Sequence, residues 1–321
     1  MRVSRWVVLT VMCSLMTADA SNSLRDYYRQ RAAEFLFERH RLHFDCDSWP
    51  LKGPAKPGSR YITISPRAAF RQTREEYLNL SRALLPALTL AVDMQGSSTQ
   101  IAGEEREDWD VRLCALGEGD TEAEADGKMQ DVAMWRTGGT VTVAGHGTEA
   151  MSQGRGEMLV HAPADSPVTF HSSYSGVEVR DMSGPVRISA GHARVTILDT
   201  TGRVDVNSGI VDFSGDRGTV QLNANSEIDL KLTRPTFEGS LTASADRAVR
   251  VLMPPGFQTP FHVLVLKRDN FVCRADVCAS VEAGRKGGWY EFSYRGSGGA
   301  SPAPVNFESS DGTVVIDTST R

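Results

Sequence analysis

Across residues 176–230 the chain repeats one short phrase, a polar residue flanked by two apolar ones and introduced by Gly or Ser. It occurs as Val177-Glu178-Val179, Val186-Arg187-Ile188, Val195-Thr196-Ile197, Val204-Asp205-Val206, Val211-Asp212-Phe213, Val220-Gln221-Leu222 and Ile228-Asp229-Leu230. The first members step by 9, 9, 9, 7, 9 and 8 residues. Alternation with period two puts both apolar members on one face and the polar member on the other, the pattern of a short half-buried strand. Gly176, Gly184, Gly191, Gly202, Gly209 and Gly218 punctuate the phrases and predict turns, where a residue without Cβ enters conformations that cost others free energy.

A strand of three residues buries too little surface to stand alone, so such phrases need neighbours that stack on them and share a core. Two phrases per coil give a repeat of roughly 17 or 18 residues, with strands of successive coils paired about 4.8 Å apart. The predicted body is therefore mainly β, a β-helix-like solenoid. An antiparallel barrel or sandwich competes, because short regularly spaced strands signal those folds too, although three-residue strands are short for them. The coil aligns Glu178, Thr196, Asp212 and Asp229 on one outer face and Arg187, Asp205 and Gln221 on the other.

Before the repeat the pattern is different. In residues 21–82, Leu24, Tyr27, Tyr28, Ala32, Phe35 and Leu36 recur at helical spacing, and Phe70, Tyr77 and Leu84 mark a second helix whose apolar stripe is expected to face the core. Prolines and glycines between Trp49 and Gly58 break regular structure. The organisation expected is a leader at 1–20, a helical N-terminal arm at 21–87 and a β body at 88–321. Within the body, residues 88–92, 140–144 and 157–161 read as strands and 121–135 as containing a short helix. After residue 230 the phrases loosen around Pro235, Pro254, Pro255 and Pro260, residues 297–304 read as a loop, and Val314-Val315-Ile316 is the last strand.

Charge changes sign along the chain. Residues 21–82 hold 12 Lys and Arg against 7 Asp and Glu, whereas residues 93–126 hold 11 acidic residues against Arg106 and Arg112. The acidic run reads as a solvated face. A net charge of -5 for the whole chain argues against nucleic acid, which needs a basic face to displace phosphate counterions. Arg2 and Arg5, an apolar stretch at 6–17 and Ala18-Asp19-Ala20 read as a secretory signal, so the chain is expected to be exported, periplasmic or extracellular. No other apolar run reaches the length of about twenty residues that a membrane span needs, and the processed chain is expected to be soluble.

Export places Cys46, Cys114, Cys273 and Cys278 in an oxidising compartment, where two disulfides are expected. The favoured pairing joins Cys273 to Cys278 and Cys46 to Cys114, the second stapling the arm to the body. His40, His43, Asp45 and Cys46 are the alternative, a metal site lacking a second paired motif. Asp212 stacked over Asp229 gives a candidate for weak calcium binding, since calcium takes several carboxylate and carbonyl oxygens; no other cofactor is called for. The same two carboxylates, or Arg187 facing Asp205, are the candidates for a glycosidase or lyase, which needs two acids about 5 to 10 Å apart across a cleft. His146, His171, His192 and His262 have no companions at ligand or triad spacing.

A strand, an acidic segment, Gly139-Thr140-Val141-Thr142-Val143, the Val-x-Val ladder and the closing Ser309-Ser310-Asp311-Gly312-Thr313-Val314 together resemble the bacterial adhesin-like family DUF4097. The resemblance covers residues 88–318 and leaves the arm outside. It implies a β-helix-like fold and adhesion, with no catalytic residues to carry over. The expectation is an exported, non-catalytic binding or scaffold module that contacts glycans or envelope proteins, with a polysaccharide-processing enzyme as the alternative.

Overall fold

The computed structural model describes residues 70–94, 97–145, 154–296 and 305–319. The leader, residues 21–69 of the predicted arm with Cys46, His146 and the loop at 297–304 lie outside them. The chain divides into Met1–Phe44 and Asp45–Arg321, and all that follows concerns the second unit.

The described residues are mainly β. Strands β1 (Phe70–Ser81), β2 (Leu88–Asp93), β3 (Ser98–Glu104) and β4 (Asp108–Gly119) precede helix α1 (Glu122–Gln130). Strands β5 (Val132–Thr137), β6 (Thr140–Gly145), β7 (Arg155–Pro163), β8 (Val168–Ser172) and β9 (Gly176–Arg180) follow. Three long strands come next, β10 (Val186–Leu198), β11 (Arg203–Gly215) and β12 (Arg217–Leu232). After them run β13 (Glu238–Ala245), β14 (Ala248–Met253), β15 (Phe261–Val265) and β16 (Phe271–Cys273). The last four are β17 (Glu282–Lys286), β18 (Trp289–Tyr294), β19 (Val305–Ser309) and β20 (Thr313–Thr318).

The repeated phrases form these strands and pair in parallel. In one row Val186 stands opposite Val204, Val204 opposite Val220 and Val220 opposite Leu241. In a second row Val177, Val195, Val211, Ile228, Val249 and Val314 are successive partners. Strands β10 and β11 each carry two phrases and serve both rows, with register shifts at Ala190/Arg194 and Ser208/Ile210 where one row passes into the other. The apolar members of both rows lie in one core, none of those just named more than 3 % exposed. Each fully buried aliphatic side chain contributes roughly 1.5–3 kcal/mol relative to exposure, so the stacking supplies what an isolated phrase lacks.

Spatial order departs from chain order at both ends. β2 and β3 sit between β6 and β7 on one side and β8 and β9 on the other. Likewise β19 and β20, the last strands, insert between β13 and β14 and the earlier β15 and β16. Antiparallel additions complete the ends: β5 on β6, β4 on β7 with β1 beyond it, and β18 with β17 on β15. Among the described residues, hairpins end the first row, while β1 and the short β16 are the outermost strands of the second. All twenty strands join one large sheet that does not close.

The expected second helix is a correction. Residues 70–81 form β1, paired with β4 along all twelve residues. Seven residues separate Phe70 from Tyr77, two helical turns but an odd number of strand steps, so in a strand they take opposite faces. Leu80 is buried and Leu78 packs on the core, while Phe70, Tyr77 and Leu84 are exposed and form no core stripe. The helix expected within 121–135 is α1, whose N-cap Thr121 accepts a hydrogen bond from the Glu124 amide.

The glycine turns have a different origin from the one the sequence suggests. Gly184, Gly202, Gly218 and Gly239 form a column at one corner, where a Cβ on Gly202 would lie 2.4 Å from the Gly184 carbonyl oxygen. One on Gly239 would lie 2.2 Å from that of Gly218, and there φ is also +117°. Backbone approaches backbone at each level, and mostly that proximity, not a left-handed φ, demands glycine.

Gly239→Ala is therefore expected to destabilise the protein by at least about 1–3 kcal/mol. Gly127→Ala, in α1 with open space around it, is expected to stabilise it by up to about 1 kcal/mol. Urea unfolding of the two variants checks both signs.

Candidate functional site

Each row of strands turns one face to the core and one outward, and the two outward faces differ. On the first row, eight adjacent strands present the register partners Thr89, Thr169, Arg187, Asp205, Gln221, Thr242, Asn306 and His262. A second line two residues on holds His171, Ser189, Asn207, Asn223, Ser244 and Glu308. None of these residues is buried, and Arg187, Ser189, Asn207, Gln221 and Thr242 are exposed. Strand spacing makes this face about 34 Å wide. It is flat, uncovered by any described element, and set with hydroxyl, amide and guanidinium groups. Arg203 Nε donates to Asp205 Oδ2 at 2.9 Å, with Arg187 4.0 Å from the same oxygen.

At one rim of this face the loop after β8 carries Tyr174, exposed, its ring 6.1 Å from that of His192. Ser172 Oγ accepts from the amides of Tyr174 and Ser175 and so fixes the loop. The amphipathic alternation marks neither residue, which is why the sequence reading passed over Tyr174.

The outward face of the second row is closed. From β4 through β14 its residues are buried or half-buried, with Glu104 the exception. Here Glu178, Thr196, Asp212 and Asp229 align as the phrase predicts. Asp212 is 3 % exposed, and its carboxylate accepts from Arg194 Nη1 at 2.6 Å. Burial raises the Asp212 pKa above the ordinary value against the opposing pull of Arg194, with the neighbouring Asp229 raising it further. Arg250 Nη1 donates to Asp229 at 2.9 Å and to Glu227 at 3.0 Å. Asp212 and Asp229 are thus brought together, each already neutralised by an arginine. Among the described residues no group of three or more His, Cys, Asp or Glu is arranged to hold a metal ion.

Glu157 on the same face is missing from the sequence reading, because an acid within an ordinary strand phrase gives no sign of its depth. It is 8 % exposed, accepts a hydrogen bond from Ser98 Oγ, and has its pKa pushed up to about 8 by burial, which outweighs Ser98 and Arg155. Its register partner on β4 is Cys114. Cys114 is disulfide-bonded, while its expected partner Cys46 lies outside the described residues. Cys273 and Cys278 are joined to each other, tying β16 to the short 3-10 turn Asp276–Ser280. His171 and His192 are exposed, and His262 Nδ1 lies 3.1 Å from Ser293 Oγ and 3.7 Å from Glu291 Oε1.

No protein-family profile and no curated protein matches this chain. Solved structures similar to it include a candidate cell adhesion protein from Clostridium sporogenes, with 11% identity and a TM-score of 0.31 over 77% of this chain and 100% of that one. A candidate adhesin from Bacteroides fragilis has 9% identity and a TM-score of 0.27 over 78% and 98% of the two chains. Another from Parabacteroides merdae has 9% identity and a TM-score of 0.28 over 76% and 96%. Likeness at this level carries no argument about what this chain binds.

Two measurements test the closed face. A carboxyl whose native pKa is raised keeps its proton in the folded state while the unfolded chain loses it. The contribution of Glu157 is therefore fully present below pH 4.5, falls as pH rises through the window to about 8, and is lost above it. Glu157→Gln is expected to gain on the order of a few kcal/mol over wild type at pH 9 and little at pH 4.5, read by melting at both pH values. Arg194→Ala, which leaves the Asp212 carboxylate without that partner, is expected to cost about 3 kcal/mol in denaturant unfolding, and Arg194→Ala with Asp212→Ala less than that.

Proposed function

We propose that this chain is an exported, non-catalytic binding module of the adhesin-like DUF4097 kind, its paired strand rows winding as a β-solenoid. Its open face takes an extended glycan, or an extended segment of an envelope protein. The observation that carries this reading is the uncovered polar face running across eight strands, from Thr89 to His262. Groups repeated at the strand spacing suit a ligand that is itself a repeat, because each unit of the ligand meets an equivalent donor and acceptor set. Flatness suits many weak contacts spread over a length rather than one deep pocket. The Tyr174 ring at the rim adds an apolar plate of the sort on which a sugar face rests.

Catalysis finds less support. A glycosidase needs one acid held protonated and a second acid across a cleft. On the open face Asp205 is paired with Arg203, and on the other face Asp212 and Asp229 are paired with Arg194 and Arg250. Calcium at Asp212 and Asp229 would have to displace those arginines, so in titration calorimetry any calcium heat of wild type is expected to be weak and to disappear in Asp212→Asn.

Retention on a glycan array without new reducing ends is the expected outcome for the wild-type chain. Arg187→Ala combined with Gln221→Ala and Thr242→Ala is expected to abolish retention while each exposed substitution changes stability by no more than about 0.5 kcal/mol. New reducing ends would replace the binding reading with the enzymatic one. Retention unchanged in the triple variant would move the ligand off this face.

A further inference from the structure

Strand β17 ends the first row, paired with β18 on one side and, among the described residues, with no strand on the other. All five of its residues are exposed. The edge at the opposite end of the row is occupied. Arg74 donates to the Val132 carbonyl and Glu76 accepts from the Met134 amide, so side chains of β1 hold backbone groups of β5. No such bond guards β17, whose row of amides and carbonyls is a template for another strand.

The middle residue of β17 is Gly284, and nothing in the chain itself calls for glycine there. The two glycines that follow, Gly287 and Gly288, take the positive φ of the hairpin turn, whereas Gly284 does not. The atom nearest to a Cβ on Gly284 would be the Glu291 carbonyl oxygen, 4.0 Å away, so no backbone of this chain crowds it. Glycine within a strand weakens it, and often marks a place where another backbone comes close.

The charges of β17 are signed about that residue. Glu282 stands two residues before Gly284 and Lys286 two after, all three on one side of the strand, with Ala283 and Arg285 on the other. When two copies of β17 are laid antiparallel about a two-fold axis at Gly284, Glu282 faces Lys286 of the partner subunit. Ala283 then faces Arg285 of the partner subunit, and directly opposite pairs of unlike charge stabilise the pairing. An in-register parallel arrangement would instead set like charges side by side. Arg295 Nη2 already lies 3.0 Å from Glu282, but both side chains are largely exposed, so that pair adds little and leaves the carboxylate open to a second cation.

We propose that the chain forms a two-fold dimer by antiparallel pairing of β17 with β17 of a second copy, centred on Gly284. Register carries the open face outward from His262 to Ser293 and Glu282, at this very edge. Residues opposite one another across paired strands share a face, so the dimer joins the open faces of both copies into one. Five residues from each copy bury little area, which makes the contact weak and reversible. The pairing does not depend on what the open face binds.

Sedimentation velocity of the full chain is expected to show a reversible monomer–dimer equilibrium as concentration rises to about 1 mM. Glu282→Lys and Lys286→Glu, each at an exposed position, are each expected to weaken self-association about tenfold. A mixture of the two single variants is expected to associate as tightly as wild type, because every pair across the two-fold axis is again of unlike charge. Amide hydrogen exchange in residues 282–286 of wild type is expected to slow several-fold between dilute and concentrated samples, a readout that needs no variant. A chain that stays monomeric throughout, or a dimer indifferent to both substitutions, would overturn the proposal. So would a mixture no tighter than its components, or exchange in β17 that ignores concentration.

Discussion

The structure depends on parallel backbone pairing between segments too short to be strands on their own. A phrase such as Val204-Asp205-Val206 has few backbone groups and two apolar side chains. Its amides and carbonyls find partners only in the phrases before and after it. Because buried backbone groups must be paired, each level is held in register by its neighbours, and a slip by one residue would turn every valine outward. The glycine column follows from the same constraint, since corners stacked at strand spacing leave no room for a Cβ.

One consequence is the separation of stability from recognition. All the inward positions serve one continuous core, so the outward positions are free to vary without loss of fold. On the first row they remain open and polar from Thr89 to His262. On the second they are withdrawn from solvent, and the charges there resolve into internal pairs, Arg194 with Asp212 and Arg250 with Asp229. A buried pair of that kind adds little net stability, but it penalises any arrangement that separates the partners, and so favours a single register.

Both ends of the stack break the chain order. The late strands β19 and β20 enter between levels already laid down, and β2 and β3 are flanked by levels formed later in sequence. The levels formed by β2, β3, β19 and β20 are thereby enclosed on both sides, and the edges left over among the described residues are two antiparallel hairpins, β1 and the short β16. A regular repeat left with parallel edges would template its own aggregation.

The sequence by itself determined the local content: which residues form strands in the repeat, which members of each phrase face inward, and which polar residues align as Arg187, Asp205 and Gln221. The first two follow from period-two alternation, a property of neighbouring residues alone, and the alignment follows from the regular spacing of the phrases. Only the tertiary structure decided what depends on distant segments. Residues 70–81 have helical spacing yet form β1, because β4 offers twelve residues of pairing that outweigh a local preference. Glu157 and Asp212 look like surface acids and are buried, because what lies over a strand is not written in that strand. The order of the end levels was likewise hidden, since parallel pairing is set by register between segments and carries no mark of when each was laid down.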